Sequence, residues 1–284
     1  MSTAPQTVAV IGGGRMGAGI AQTFAAAGSA LTVIESNEQA ATEARERIAA
    51  SLARAAEKGR LNEPAEDILG RIVLIGSVEE LPAGVDLLIE AVPEDAALKA
   101  RLLASAEKAV GERTVLATNT SSLSVTELGA ALSRPGRFLG MHFFNPVPAS
   151  ELIELVVAPT TTDETLQAAL AWTRALDKKD VVVKDSPGFA SSRLGVALGL
   201  EAIWMVQEGV AEPEAIDTAM QLGYKHPMGP LRLTDLVGLD VRLAIADHLH
   251  AILGERFAPP PLLREKVARG ELGRKSGQGF YTWH

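Results

Sequence analysis

Apolar runs of four to seven residues alternate with longer amphipathic stretches over the first two thirds of the chain, which is the pattern of a parallel sheet covered by helices. The runs at 8–11, 30–34, 72–75, 86–92, 114–118, 137–143, 152–157 and 180–183 predict strands. Between them, 37–59 predicts a long helix capped by Ser36 or Asn37, and Pro64 opens a short helix ending at Leu69. The stretch from about 37 to 70 is thus a helical excursion from the sheet. Two further helices are predicted over 95–110 and 163–176. Residues 184–188 are polar and break helix, and beyond them the periodicity is wholly helical: Ser191 or Ser192 to Glu208, then 213–222, 231–237 and 239–253. The domain boundary is placed there, giving domains of 1–185 and 186–284.

The first strand runs directly into Gly12, Gly14 and Gly17 and then into small residues that suit a helix. Gly12 permits a tight turn, Gly14 lets backbone approach a pyrophosphate, and Gly17 lets the helix pack on the strand. Arg15 and Met16 stand between the second and third glycines and are assigned with them to the cofactor. The second strand ends at Glu35, where a carboxylate accepts from adenosine ribose hydroxyls and repels a 2′-phosphate. These features predict a Rossmann-like dinucleotide-binding domain that takes NAD rather than NADP, followed by an all-α domain.

Composition narrows the class without changing that picture. The 284 residues are 47% hydrophobic, enough for two modest cores, and include no cysteine. No run of 18 apolar residues and no basic-then-apolar leader is present, so a cytoplasmic protein without a membrane partner is expected. A net charge of −8 disfavours nucleic acid and means that an anionic substrate needs a local basic patch. One such patch is predicted on the long helix, where Arg47, Ser51, Arg54 and Lys58 share a face; the bland reading of that face is a solvated surface.

Polar residues gather at the predicted strand ends. Glu94 follows the 86–92 strand, Lys99 lies on the next helix, and Asn119, Thr120, Ser121 and Ser122 follow the 114–118 strand. Helix capping is the alternative role for either serine. His142 lies near the end of one strand and Glu154 on the next, twelve residues on, so that imidazole and carboxylate can meet as a base and its orienting group. No metal set is expected: His248 and His250 are two apart and face different sides of a helix. The small helical domain is expected to dimerise.

The stretches VIGGGRMGAGIA (10–21), EAVPED (90–95), TNTSSL (118–123), GMHFFNPVP (140–148), DSPGF (185–189), HPMGPLRLTDLVGLD (226–240) and GRKSGQGFY (273–281) resemble the 3-hydroxyacyl-CoA dehydrogenase family, in particular its bacterial 3-hydroxybutyryl-CoA members. The resemblance implies an NAD-binding domain, a helical dimerising domain, and reversible oxidation of a (S)-3-hydroxyacyl-CoA to the 3-ketoacyl-CoA. It implies that His142 is the base held by Glu154, and that Ser121 sits between nicotinamide and substrate oxygen. Asn145, Glu94, Lys99 and Lys275 match cofactor-side positions, and Ser51 and Lys58 match positions that contact coenzyme A. One position departs: the family pattern PGFxxNR reads PGFASSR here, with Ser192 in place of an asparagine implied to bond near the substrate carbonyl. Serine is shorter but still donates. Two other readings stay open, a dehydrogenase of a small hydroxy acid without coenzyme A and a non-catalytic NAD-binding protein.

Overall fold

A computed structural model of the chain describes residues 3–82 and 84–283. It forms two compact units, one ending at Ser186 and one beginning at Pro187. The first holds an eight-stranded sheet in the order β3-β2-β1-β4-β5-β6-β7-β8. The strands are β1 (Thr7–Ile11), β2 (Ala30–Ile34), β3 (Ile72–Ile75), β4 (Leu87–Glu90), β5 (Val115–Thr118), β6 (Phe138–Phe143), β7 (Leu152–Val157) and β8 (Lys179–Lys184). All neighbours are parallel except β6 and β7. The order reverses between β1 and β4, and in open parallel sheets a ligand binds in the crevice outside the strand ends at such a reversal.

The covering helices of this unit are α1 (Arg15–Ala26), α2 (Glu38–Glu57), α3 (Ala65–Gly70), α4 (Ala96–Ala109), α5 (Val125–Gly129) and α6 (Asp163–Ala175). Asn37 caps α2, its side chain accepting the Ala40 N–H at 2.9 Å. The α2 stripe of Ala44, Ile48 and Leu52 is fully buried, joining Val10, Phe24, Val33 and Ile89 in one core. Burying Ile48 and Leu52 contributes about 1.5–3 kcal/mol each, so the stripe fixes how α2 lies against the glycine-rich turn.

The second unit is helical: α7 (Ser191–Gln207), α8 (Pro213–Gly223), α9 (Pro230–Val237), α10 (Leu239–Leu253) and α11 (Pro261–Ala268). Its own core gathers Val196, Leu200, Ile203, Leu231, Leu239 and Leu249. Among the described residues, no helix is long and apolar enough to cross a membrane.

Two strand bounds shift from the sequence reading for a visible reason, and two helices are added to it. The strand predicted over 86–92 stops at Glu90, because the Glu90 carboxylate turns back to accept the Val92 N–H at 2.6 Å. The strand predicted from Arg137 starts at Phe138, residues 135–137 closing a single 3₁₀ turn. Helices α5 and α11 carry weak signals: α5 has five residues, and α11 opens on the last of three consecutive prolines, Pro259 to Pro261.

Candidate active site and cofactor groove

The turn after β1 shows why glycine is required there. Gly12 takes φ +91°, and a Cβ added at Gly17 would stand 1.7 Å from the Gly12 carbonyl oxygen, so α1 packs on the turn only without one. A Cβ at Gly14 would meet nothing within 4 Å, leaving open space over the backbone at the start of α1. Gly13, which the glycine spacing leaves unassigned, is equally constrained. A Cβ there would lie 2.5 Å from that of Ala44, and its N–H donates to Glu35 Oε1. Arg47 braces the same turn by donating Nη1 to the Gly13 carbonyl at 2.8 Å, so this member of the α2 basic face turns toward the turn.

Beside the turn runs a groove of about 670 Å³ lined by Gly12, Gly14, Glu35, Ser36, Val92 and Arg101, among others. The fit to a dinucleotide is concrete: open space above Gly14 for a pyrophosphate, and a carboxylate at the end of β2. Glu35 Oε1 is spent on Gly13, whereas Oε2 has no partner among the described residues. Arg15 is exposed in the first turn of α1, with Met16 half-buried beside it.

Next to the groove lies a buried ionic cluster. Lys99, 1% exposed, donates to Glu90 Oε1 at 2.7 Å and to the Val92 carbonyl at 3.1 Å, and lies 3.3 Å from Glu94 Oε2. Thr118 Oγ1 donates to Glu90 Oε2 at 2.6 Å. Glu94 Oε1 in turn accepts the Ser121 and Ser122 N–H groups at 3.0 and 3.2 Å and the Thr120 hydroxyl. Burial opposes ionisation of Glu94, but the charge of Lys99 and these donors outweigh it and hold its carboxyl below the ordinary range. Lys99 therefore lies beneath the turn and acts on it through Glu94. Ser121 Oγ stands 3.5 Å from Glu94, a weak contact that leaves its hydroxyl able to serve a bound oxygen. Neither Ser121 nor Ser122 caps α5; Ser124 does, accepting the Glu127 N–H. Glu90 is absent from the sequence-derived site, although a carboxylate inside the apolar run LLIEAV was the signal for it.

His142 and Glu154 are directly opposed on antiparallel β6 and β7, with Nδ1 and Oε2 2.9 Å apart. They are 6% and 1% exposed. The Phe144 ring stacks obliquely on the imidazole, centroids 4.4 Å apart. Asn119 Oδ1 accepts the Phe143 N–H at 2.9 Å and so ties the Ser121 turn to the histidine strand. Asn145 begins the exposed loop after β6. That loop is held from behind by Lys178, 7% exposed, which donates to the carbonyls of Val147 and Ser150. Burial pushes its ammonium below the ordinary lysine range.

Ser51 and Lys58 line a second cavity of about 590 Å³ with Arg54, Arg60, Pro146 and Lys178. Three exposed cationic side chains there, Arg54, Lys58 and Arg60, supply the basic patch an anionic ligand needs, with Asp177 the one acid on the lining. Ser192 and Lys275 belong to the second unit. Ser192 is half-buried in the first turn of α7, and Lys275 is exposed, its Nζ 2.6 Å from Asp240 Oδ2.

Comparison with known proteins identifies the family. The model for the 3-hydroxyacyl-CoA dehydrogenase NAD binding domain matches residues 7–186, and that for the C-terminal domain matches 188–283. The chain belongs to the 3-hydroxyacyl-CoA dehydrogenase family. Its first unit is the family's NAD-binding domain, and the groove, the open turn and Glu35 fit that cofactor. A probable 3-hydroxybutyryl-CoA dehydrogenase of Bacillus subtilis is 44% identical, covering 97% of this chain and 96% of its own. A 3-hydroxybutyryl-CoA dehydrogenase of Mycobacterium tuberculosis is also 44% identical, over the whole of both chains. The crystal structure of (S)-3-hydroxybutyryl-CoA dehydrogenase from Ralstonia eutropha superposes with a TM-score of 0.93 at 40% identity, covering 99% of this chain and all of that one.

Proposed function

We propose that the chain is an NAD-dependent (S)-3-hydroxyacyl-CoA dehydrogenase. The observation that carries this reading is the His142–Glu154 pair, buried side by side in the unit that holds the dinucleotide groove. With Nδ1–H donated to the carboxylate, the imidazole keeps its lone pair on Nε2, the nitrogen that takes the proton of a 3-hydroxyl. Glu154 fixes the ring and stabilises the imidazolium that forms, as a buried carboxylate does for a histidine base. Bound NAD supplies the acceptor for the hydrogen on C3, which leaves with its electron pair as the hydroxyl proton moves to His142. Ser121, fixed through its N–H by Glu94, holds the substrate oxygen, and Ser192 assists. In the reverse direction His142 returns the proton.

The cavity carrying Ser51, Arg54, Lys58 and Arg60 favours a coenzyme A thioester over a small hydroxy acid, since its cations suit phosphates. Inhibition by free coenzyme A supports that choice, and indifference to it rejects it. Asn145 and Lys275 are read as cofactor contacts, and the domains as residues 1–185 and 186–284. A homodimer through the second unit, in the cytoplasm, belongs to the same reading; exposed Leu194, Leu222, Tyr224 and Ile252 support the dimer.

His142→Gln is expected to keep NADH affinity and to lower kcat by at least about 100-fold, the usual weight of a general base. Stopped-flow NADH binding beside steady-state reduction of acetoacetyl-CoA measures both; near-full turnover in the variant removes His142 from the mechanism.

A further inference from the structure

Gln22 on α1 is a buried acceptor on the wall of the basic cavity. It is 3% exposed, and its Oε1 is sealed from solvent without a hydrogen bond among the described residues. The residue lines the cavity of about 590 Å³ and also a smaller one of about 150 Å³. Ser51, Arg54, Pro146 and Pro148 line both as well, and the smaller one adds Arg15, Arg47 and Asn145. Gln22 therefore stands where the cations of α2 give way to Asn145, three residues beyond His142.

The packing of the loop after β6 encloses this amide. Gly19 lies one turn before Gln22 on the same face of α1, and a Cβ there would stand 2.9 Å from that of Val147 and 3.6 Å from Pro148 Cδ. The loop thus closes on α1 beside Gln22, held from its other side by Lys178. The cations on the larger cavity, Arg54, Lys58, Arg60 and Lys178, offer N–H donors, which suit the acceptor oxygens of a phosphate. Oε1 of Gln22 asks for the opposite partner, an N–H. The terminal torsion of a glutamine is broad, so the amide can turn Oε1 from its sealed position to the cavity that the side chain lines.

We propose that Gln22 is a specificity-determining residue that reads an amide of the substrate's pantetheine arm, accepting its N–H at Oε1. The inference rests on the coenzyme A reading of the cavity. With the phosphates on the cations of α2 and the thioester directed to His142, the part of the substrate that lies between them is the pantetheine. Its secondary amides each set a donor beside a carbonyl. Such an amide pairs with that of Gln22 through both groups, N–H to Oε1 and C=O to Nε2. A thioester without the N–H leaves Oε1 unanswered, which is how a site built to bond a donor rejects the analogue that lacks it.

The test begins with the unaltered protein, reducing acetoacetyl-pantetheine and analogues in which each amide N–H in turn is replaced by an ester oxygen. One replacement is expected to raise KM about 3- to 10-fold with kcat unchanged, the weight of one neutral hydrogen bond. Equal KM values throughout overturn the proposal, and this comparison needs no variant to fold. Gln22→Met keeps the length and removes the acceptor. It is expected to raise KM for acetoacetyl-pantetheine and acetoacetyl-CoA by the same factor, and to leave the S-propyl thioester of acetoacetate, which has no amide, within about twofold in kcat/KM. An equal loss on the S-propyl ester makes Gln22 structural and overturns the proposal; a loss on the coenzyme A ester alone moves the contact to the nucleotide and also overturns it. Inhibition by free coenzyme A separates the two readings. Its absence overturns the cavity's assignment and this inference together, whereas inhibition beside amide-blind kinetics overturns the role of Gln22 alone.

Discussion

Lys99 and Arg242, two of the buried cations, have opposite surroundings. Lys99 in the first unit meets two carboxylates and a carbonyl, whereas the buried Nε of Arg242 in the second has no acceptor among the described residues. Both are at least 95% removed from solvent, so each loses most of its hydration. The difference lies in what replaces the lost water. Around Lys99 the protein supplies every partner, and the ammonium becomes a fixed post that sets Glu94 and, through Glu94, the Ser121 turn. Around Arg242 no hydrogen-bond or ion-pair partner stands among the described residues, and the charge stays uncompensated.

The comparison is broken most sharply by removing one partner of the complete cluster. Glu90→Leu strands Lys99 with Glu94 as its remaining carboxylate and leaves Thr118 without its acceptor. Breaking a buried pair in this way costs about 3 kcal/mol, measurable as a fall in the urea midpoint. A loss below about 1 kcal/mol would show that Lys99 relaxes toward solvent and is not a fixed post.

Arg242→Met has the opposite expected sign. It removes an uncompensated buried charge and keeps most of the apolar stem, so the protein gains about 1 kcal/mol. A loss of that size in the same denaturation assay would mean that the guanidinium has a partner in solution, and the contrast with Lys99 would fail.

The same two residues mark how far the sequence could be read. The parallel sheet, the glycine turn and the His142–Glu154 pairing were legible because strand period, turn chemistry and a twelve-residue separation are local signals. Glu90 was not, since a charged residue inside an apolar run looks the same whether it is fully partnered or caps the end of a strand, and Lys178 was not, since within the polar stretch 177–180 it reads as one more surface lysine until the fold buries it. Arg47 shares the basic face of α2 with Ser51 and Lys58, and only the packing of Ala44 on Gly13 turns it toward the turn. Arg242 was invisible for a different reason. Whether a buried arginine is paired depends on how neighbouring helices pack around it, and spacing along one helix carries no trace of that.

The smallest expected effect sharpens the Lys99 side of the comparison. Glu94 is 37% exposed, so solvent screens much of its attraction to Lys99, and its contribution is correspondingly small. Its sign is nevertheless definite. Because the folded carboxyl titrates below its ordinary value of 4.5, the folded state binds this proton more weakly than the unfolded chain does. The stabilisation is therefore fully present above about pH 4.5 and is lost as the pH falls through the lower, folded value. Glu94→Gln lacks this titration, so wild type and variant should differ by a constant amount between pH 6 and 8 and converge on acidification below about pH 4.5. Denaturation midpoints across that range measure it. A gap that persists unchanged at low pH would assign the role of Glu94 to hydrogen bonding alone, with the charge of Lys99 answered entirely by Glu90.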